Sequence, residues 1–379
     1  MSINDHEFAS MNELFYIMSE ISRIFAVSNV DVSPFIKSFM NRHFHLLRFN
    51  FRGFWLAAGM AALLLVGCEK ETIIRPVVYE GGCLPGLFSV SDTTQVRFSQ
   101  GNLQWSATGS HATADSSAAG TWRFAKHQYD MIGNDNSNIS ESYTGWIDLF
   151  GWATSGYHNS HDIYNRVYHP YSSTVRLISD VYNCFGYGPS TFRDDPNLTG
   201  TSANYDWGVY NAISNGGNRP GLWRTLSWYE RDYLMCARHA STVGTTTDAR
   251  YALIRVFVGT KFVNGLLLFP DRFSWPSAAG KVPTAINGCP EGTGWSDVPY
   301  YTLFQFAALE ATGCVFLPAA GLRNGTSVDG VGEYGWYWTS TYDSDKNAGC
   351  TFFSYCEVAD KLNFRFCGQA LRLVQDKMD

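Results

Sequence analysis

Four residues of metal-ligating type, His158, His161, Asp162 and His169, fall within the run HNSHDIYNRVYH at 158–169. Imidazole and carboxylate donors of this kind suit zinc and its neighbours. No second cluster supplies closing ligands at recognisable spacing, and the interleaved Asn, Ser and Tyr mark a loop. Calcium would need oxygens in an ordered loop pattern. Asp195, Asn197, Asp206, Asp297, Asp343 and Asp345 are scattered instead, so they read as solvated acidic loops. The nine cysteines include no CxxC pair, which leaves a zinc ribbon unsupported. Neither a nucleophile elbow, nor a phosphate loop, nor a convincing pair of carboxylates is visible. No metal or cofactor is therefore expected, and the sequence points to a binding module and not to an enzyme.

Composition agrees with that reading. Only 16% of the 379 residues are charged, and the formal net charge is -6. A nucleic-acid binder normally carries a basic stripe, so nucleic acid is not an expected partner. Hydrophobic residues at 45% and aromatics at 16% supply a large core, and 35 glycines supply turns. Such a balance is more usual in extracellular β-rich modules than in cytosolic α/β enzymes.

The longest apolar run, FWLAAGMAALLLVG at 54–67, is preceded by Arg42, Arg48 and Arg52 and followed at once by Cys68, Glu69 and Lys70. It is too short to span a bilayer, and its basic flank and abrupt end are those of a signal peptide. Leu65-Val66-Gly67-Cys68 resembles the bacterial lipobox, in which the Cys is lipidated and becomes the mature N-terminus. Lipidation of Cys68 is expected, with anchorage to the outer membrane, on the cell surface, and no membrane span. Met40 is a normal start for such a leader. The expected organisation is an N-terminal extension from a mis-called start codon at 1–39, a lipoprotein signal peptide at 40–67, a Pro- and Gly-bearing tether at 68–86, and one domain at 87–379.

Within that domain two helices have start signals. Ser227-Trp228-Tyr229-Glu230 and Thr302-Leu303-Phe304-Gln305 are capping boxes. Tyr229, Tyr233 and Leu234 are expected on one face of the first helix. Phe306 and Leu309 are expected on the buried face of the second, with Gly313 as its left-handed stop. Strands are expected at 96–105, 121–124, 251–258, 265–269, 315–317, 335–340, 350–358 and 370–375, with 111–120 as a long hairpin loop. Two helices among many short strands make an α+β fold.

The segments at 87–105, 122–133, 142–157, 223–235, 300–341 and 370–376 together resemble the major paralogous domain of lipoproteins from gut anaerobes. That family is related to the formylglycine-generating-enzyme branch of the C-type lectin fold, whose helix motif is similar to residues 226–238. The resemblance implies that the strand containing YWTST and the final ALRLV strand are neighbours in the core sheet. In targets of diversity-generating retroelements with this fold, the variable residues lie between those strands on an exposed ligand-binding face, here 342–368. The resemblance thus implies a ligand surface at Tyr342, Asp343, Asp345, Gly349, Cys350, Phe352, Ser354, Tyr355, Cys356, Phe364, Phe366 and Cys367, with Trp336 and Trp338 beneath or beside it. Its partner would be a protein or glycan on another cell, a phage or a host. Aromatic, Ser, Asn and Gly side chains are what a broad recognition surface uses. The competing readings are a structural envelope or pilus-associated lipoprotein, and an oxidase of the formylglycine-generating type. In that oxidase four residues separate the copper-holding cysteines, whereas five separate Cys350 from Cys356, and on a strand one residue changes the face.

Overall fold

The computed structural model describes residues 80–106, 121–138, 143–157, 197–344 and 346–377, all within one compact unit, Ile73–Asp379. Cys68 with its leader, the histidine cluster at 158–169, Asp195 and Asp345 lie outside the described residues. The strands, in chain order, are β1 (Phe88–Ser89), β2 (Gln95–Phe98), β3 (Leu103–Ser106), β4 (Thr121–Phe124), β5 (Trp146–Ile147), β6 (Tyr251–Val258), β7 (Lys261–Leu268), β8 (Tyr300–Thr302), β9 (Val315–Pro318), β10 (Leu322–Asn324), β11 (Ser327–Asp329), β12 (Gly335–Tyr342), β13 (Asn347–Ser354), β14 (Glu357–Phe364) and β15 (Val374–Asp376). The α-helices are α1 (Trp207–Tyr210), α2 (Trp228–Asp232) and α3 (Leu303–Ala311). The architecture is α+β, mostly small sheets: β1-β2-β15, β4-β3-β5, β8-β6-β7-β9, β12-β13-β14 and the hairpin β10-β11.

Both capping boxes form. Ser227 Oγ accepts from the Glu230 amide at 3.2 Å while Glu230 Oε2 accepts from the Ser227 amide at 2.8 Å. At α3 the Thr302 hydroxyl takes the Gln305 amide and Gln305 Oε1 takes the Thr302 amide. Each box satisfies two amides that the first helical turn leaves unpaired. Phe306 and Leu309 are buried. Gly313 ends α3 at φ 90° against the backbone of Gly86, where a Cβ would come within 2.5 Å. The expectation for α2 needs correction, since Leu234 is buried but Tyr229 is 81% exposed. The α-helix is only five residues long and continues as a single wide turn, Tyr233–Ala237, which rotates Leu234 inward relative to Tyr229.

Two expected strands are each two elements. Residues 96–105 break at Ser99–Asn102 into β2 and β3. Gly101 lies against Ala125 so closely that a Cβ would sit 2.5 Å from its carbonyl oxygen. Residues 350–358 contain the two-residue loop Tyr355-Cys356, which folds β13 back on β14 with Ser354 opposite Glu357.

The final ALRLV run does meet β12, but at a single bridge. The Ala370 amide donates to the Trp336 carbonyl at 2.9 Å and the Trp338 amide donates to the Ala370 carbonyl at 3.1 Å. The next carbonyls are taken elsewhere: Leu371 accepts from the Leu103 amide and Leu373 from the Ser99 amide. The chain is thereby drawn from β12 to β2, which β15 joins as an antiparallel neighbour. Leu371 and Leu373 enter an aromatic cluster with Trp105, Trp122, Phe150 and Trp152. Between them Arg372 points the opposite way, into the interior. It donates to the carbonyls of Ser99, Gln128 and Phe316, and burial pushes its guanidinium down to about 10.

Candidate ligand-binding face

The window 342–368 is built on the sheet β12-β13-β14, with β14 at one edge. Register assigns the faces. Trp336 pairs with Phe352 and Trp338 with Cys350, while Ala359 and Lys361 stand opposite Phe352 and Cys350. These six share one face. The other face carries Tyr337, Phe353 and Gly349, with Val358, Asp360, Leu362 and Phe364 from β14.

On both faces β13 is covered, so five of the expected surface residues are interior. Gly349 lies under α2, and a Cβ there would meet the Trp228 ring at 2.4 Å and Thr339 Oγ1 at 2.9 Å. Cys350 is buried in the aromatic cluster, its thiol donating to the Lys361 carbonyl at 3.2 Å. Phe352 is roofed by Trp336 at 4.5 Å, Tyr334 at 5.9 Å and the Lys361 ammonium at 4.5 Å. Ser354 and Cys367 are also buried. As solvent-facing members of a binding face, Gly349, Cys350, Phe352, Ser354 and Cys367 are therefore corrected. A central strand between two covering layers cannot display its side chains. The periodicity of a half-exposed strand is missing from 347–354, and that absence was the available signal.

The remaining residues do reach solvent. Asp343, Cys356 and Phe364 are exposed, and Tyr342, Tyr355 and Phe366 are half-buried. Trp338 lies beneath the sheet surface and Trp336 beside it. Tyr342 is fixed through its amide, which donates to Asn197 Oδ1 at 3.0 Å, and the Arg365 guanidinium stands over its ring. Phe364 and Phe366 stack at 5.2 Å with planes only 12° apart. Leu362, two residues before Phe364 on the same face of β14, is 50% exposed, and Phe364 is 39% exposed. Sequence reasoning missed Leu362, because 350–358 read as one strand hid the alternation of β14. The strand is held at its other end by an ion pair of Arg231 with Asp360 and by Lys361 with Glu357 at 2.8 Å.

Burial pushes the thiols of Cys350 and Cys367 up to about 12, so both are held as neutral thiols at neutral pH. Cys356, in the turn, is exposed and lies 3.6 Å from the Ser354 hydroxyl. Two of the acidic residues considered for calcium, Asp206 and Asp297, are engaged elsewhere. Asp206 caps α1 through the Gly208 amide and also accepts the Thr225 amide, and Asp297 accepts the Thr293 amide. Among the described residues no three His, Cys, Asp or Glu side chains gather as a metal site. No described helix is long and apolar enough to cross a membrane.

No protein-family model, curated protein or solved structure matches the chain.

Proposed function

We propose that the chain is a surface lipoprotein, anchored to the outer membrane through Cys68, whose C-type-lectin-like domain of the major paralogous kind binds a protein partner through β14 and its flanking turns. The reading is of a binding module without catalysis. The observation that carries it is the exposed apolar pair Leu362 and Phe364 on an eight-residue edge strand, continued past its end by the half-buried Phe366. Edge strands are usually blunted, because an open row of backbone groups beside apolar side chains recruits another chain. Here it is joined by a stacked aromatic pair, which gives large contact area at low entropy cost. Tyr342, Asp343, Tyr355 and Cys356 extend the surface along the sheet's ends. Diversification by a retroelement, if it acts, is confined to these exposed positions, since the interior residues of the same window hold the fold.

A library randomised at Tyr355, Leu362, Phe364 and Phe366 should yield mostly protease-resistant chains, whereas one randomised at Trp338, Gly349 and Phe353 should not. A structural subunit would instead lose assembly or folding at the first set, and that outcome would reject the display reading. Anchorage has its own test. Cys68→Ser should move the protein out of the membrane fraction, and unchanged retention would reject the lipid anchor.

A further inference from the structure

On a different sheet, β6, β7 and β8 present a second aromatic surface. Phe257 faces Phe262 across the β6–β7 hairpin, and Arg255 lies between Asn264 on one side and Tyr300 on the other. These side chains share the outer face, because their neighbours Ile254, Val256 and Tyr301 enter the core from the inner face. Phe257 is 36% exposed, Phe262 45% and Tyr300 55%. The rings are in mutual contact, Phe257 to Phe262 at 5.0 Å and Phe262 to Tyr300 at 5.3 Å. Three large rings touching each other in solvent form a continuous patch, whereas scattered single residues would be ordinary.

The patch has a fixed cation at its centre. Arg255 Nε donates to the Val298 carbonyl at 2.8 Å and Nη2 to the Ser296 carbonyl at 3.0 Å. Its guanidinium carbon lies 4.6 Å from the Phe262 ring centre and 5.8 Å from that of Tyr300. Those two bonds hold the head in place and leave Nη1 outside them. The acid whose charge Arg255 feels, Asp297, spends its Oδ2 on the Thr293 amide. A positive charge is thus immobilised over an aromatic floor, with no ion pair to it among the described residues, on a chain of net charge -6.

We propose that this face binds an acidic glycan, with the apolar faces of pyranose rings on Phe257, Phe262 and Tyr300 and a uronate or sulfate group on Arg255. Aromatic faces carry partial negative charge and attract the polarised C–H bonds of a sugar ring as they attract cations. A planar guanidinium pairs with a carboxylate or sulfate through parallel N–H donors. A nucleic acid would need a row of cations to follow its phosphates, and this face offers one. A second copy docked symmetrically here would set Arg255 near its own equivalent, a like-charge contact. The inference is independent of the β14 surface.

The test is calorimetric titration of the full chain with polygalacturonate, chondroitin sulfate, neutral dextran and an oligothymidylate. Binding to at least one of the two acidic glycans, weakened by added salt, is expected, with dextran and the oligonucleotide binding far more weakly. Phe262→Ala and Tyr300→Ala should each lower affinity by about tenfold with an unchanged melting temperature. Arg255→Gln should abolish the preference for the acidic chains, and Arg255→Lys, which keeps the charge but not the fork, should restore part of it. Leu362→Ser and Phe364→Ser should leave all of this unaltered, which separates the result from that for β14. The proposal is overturned if neither acidic glycan binds, if dextran binds equally well, if the oligonucleotide binds tighter, or if the aromatic variants act by abolishing a dimer.

Discussion

Trp338 donates its indole N–H to the carbonyl oxygen of Phe150 at 2.7 Å, a buried bond between β12 and a loop far earlier in the chain. The same carbonyl also accepts the Gln369 amide at 2.9 Å. One interaction therefore locks the β12 sheet, the segment before β15 and the aromatic cluster to one another. Trp338→Phe keeps an aromatic ring but removes the donor and part of the volume. It should cost about 1–3 kcal/mol, read as a shift in the urea midpoint at constant slope. An unchanged midpoint would show that the bond is not formed in solution.

Side chains a few residues apart in the C-terminal window should differ sharply in tolerance. Phe364→Ser lies at the exposed edge and should change stability by no more than about 0.5 kcal/mol. Gly349→Ala would drive a methyl into the Trp228 ring and Thr339, and should cost about 1–3 kcal/mol. Equal effects from thermal melts of the two variants would contradict the facing of β13 and β14.

Thiol reactivity should follow burial. The seven described cysteines are free thiols, with Cys236 and Cys356 exposed and Cys314, Cys350 and Cys367 buried. Burial pushes each of the buried three up to about 12. Iodoacetamide at neutral pH should therefore modify Cys236 and Cys356 in the native protein and reach the other three only after unfolding. Mass spectrometry of the digests reads this directly, and rapid native labelling of Cys350 would be incompatible with its burial in the aromatic cluster.

A buried carboxyl should give the protein an unusual pH response. Asp148 has no exposed surface, and desolvation outweighs its bonds from the Ile132 amide and Asn136 Nδ2, raising it from 3.8 to about 6. Asp206 is raised for the same reason. Between pH 4 and pH 6 the folded state then holds a proton at Asp148 that the unfolded state has lost. Stability from this group is full below about pH 4 and is lost as pH rises through 6, by about 3 kcal/mol. Asp148→Asn should be less stable throughout, since its new amide donors face donors, yet it should lack that slope. Parallel stability profiles for the two proteins between pH 4 and pH 7 would refute the assignment.

The two helix starts were legible because a capping box is a local pattern: Ser227 with Glu230 and Thr302 with Gln305 need only a turn of helix to find each other. The β13–β14 hairpin was not, because Tyr355-Cys356 contains neither Gly nor Asn, the residues that usually mark a two-residue loop. Once that turn was unread, Gly349, Cys350, Phe352 and Ser354 were taken for surface. What buries them is long-range: Trp228 of α2 on one side, and Trp336, Trp338 and Tyr334 on the other. The Ser99–Asn102 break was visible as Gly101, but its purpose was not, since it frees the Ser99 and Leu103 amides to draw in the chain at 371–373.

The pairing of β15 with β2 makes the closing of one sheet wait for a strand almost three hundred residues further along the chain. Made from the N-terminus, β2 has β1 on one side only, and its other edge waits until Val374, Gln375 and Asp376 arrive to meet Phe98, Arg97 and Val96. Arg224, at the head of α2, waits as well, because it holds both Glu230 and Asp376. The strand β15 closes the sheet by pairing with β2 and not with a neighbour in sequence, and such non-local closure is slow. A chain cut short before residue 374 is left with the open edge of β2 as its mark for aggregation or proteolysis.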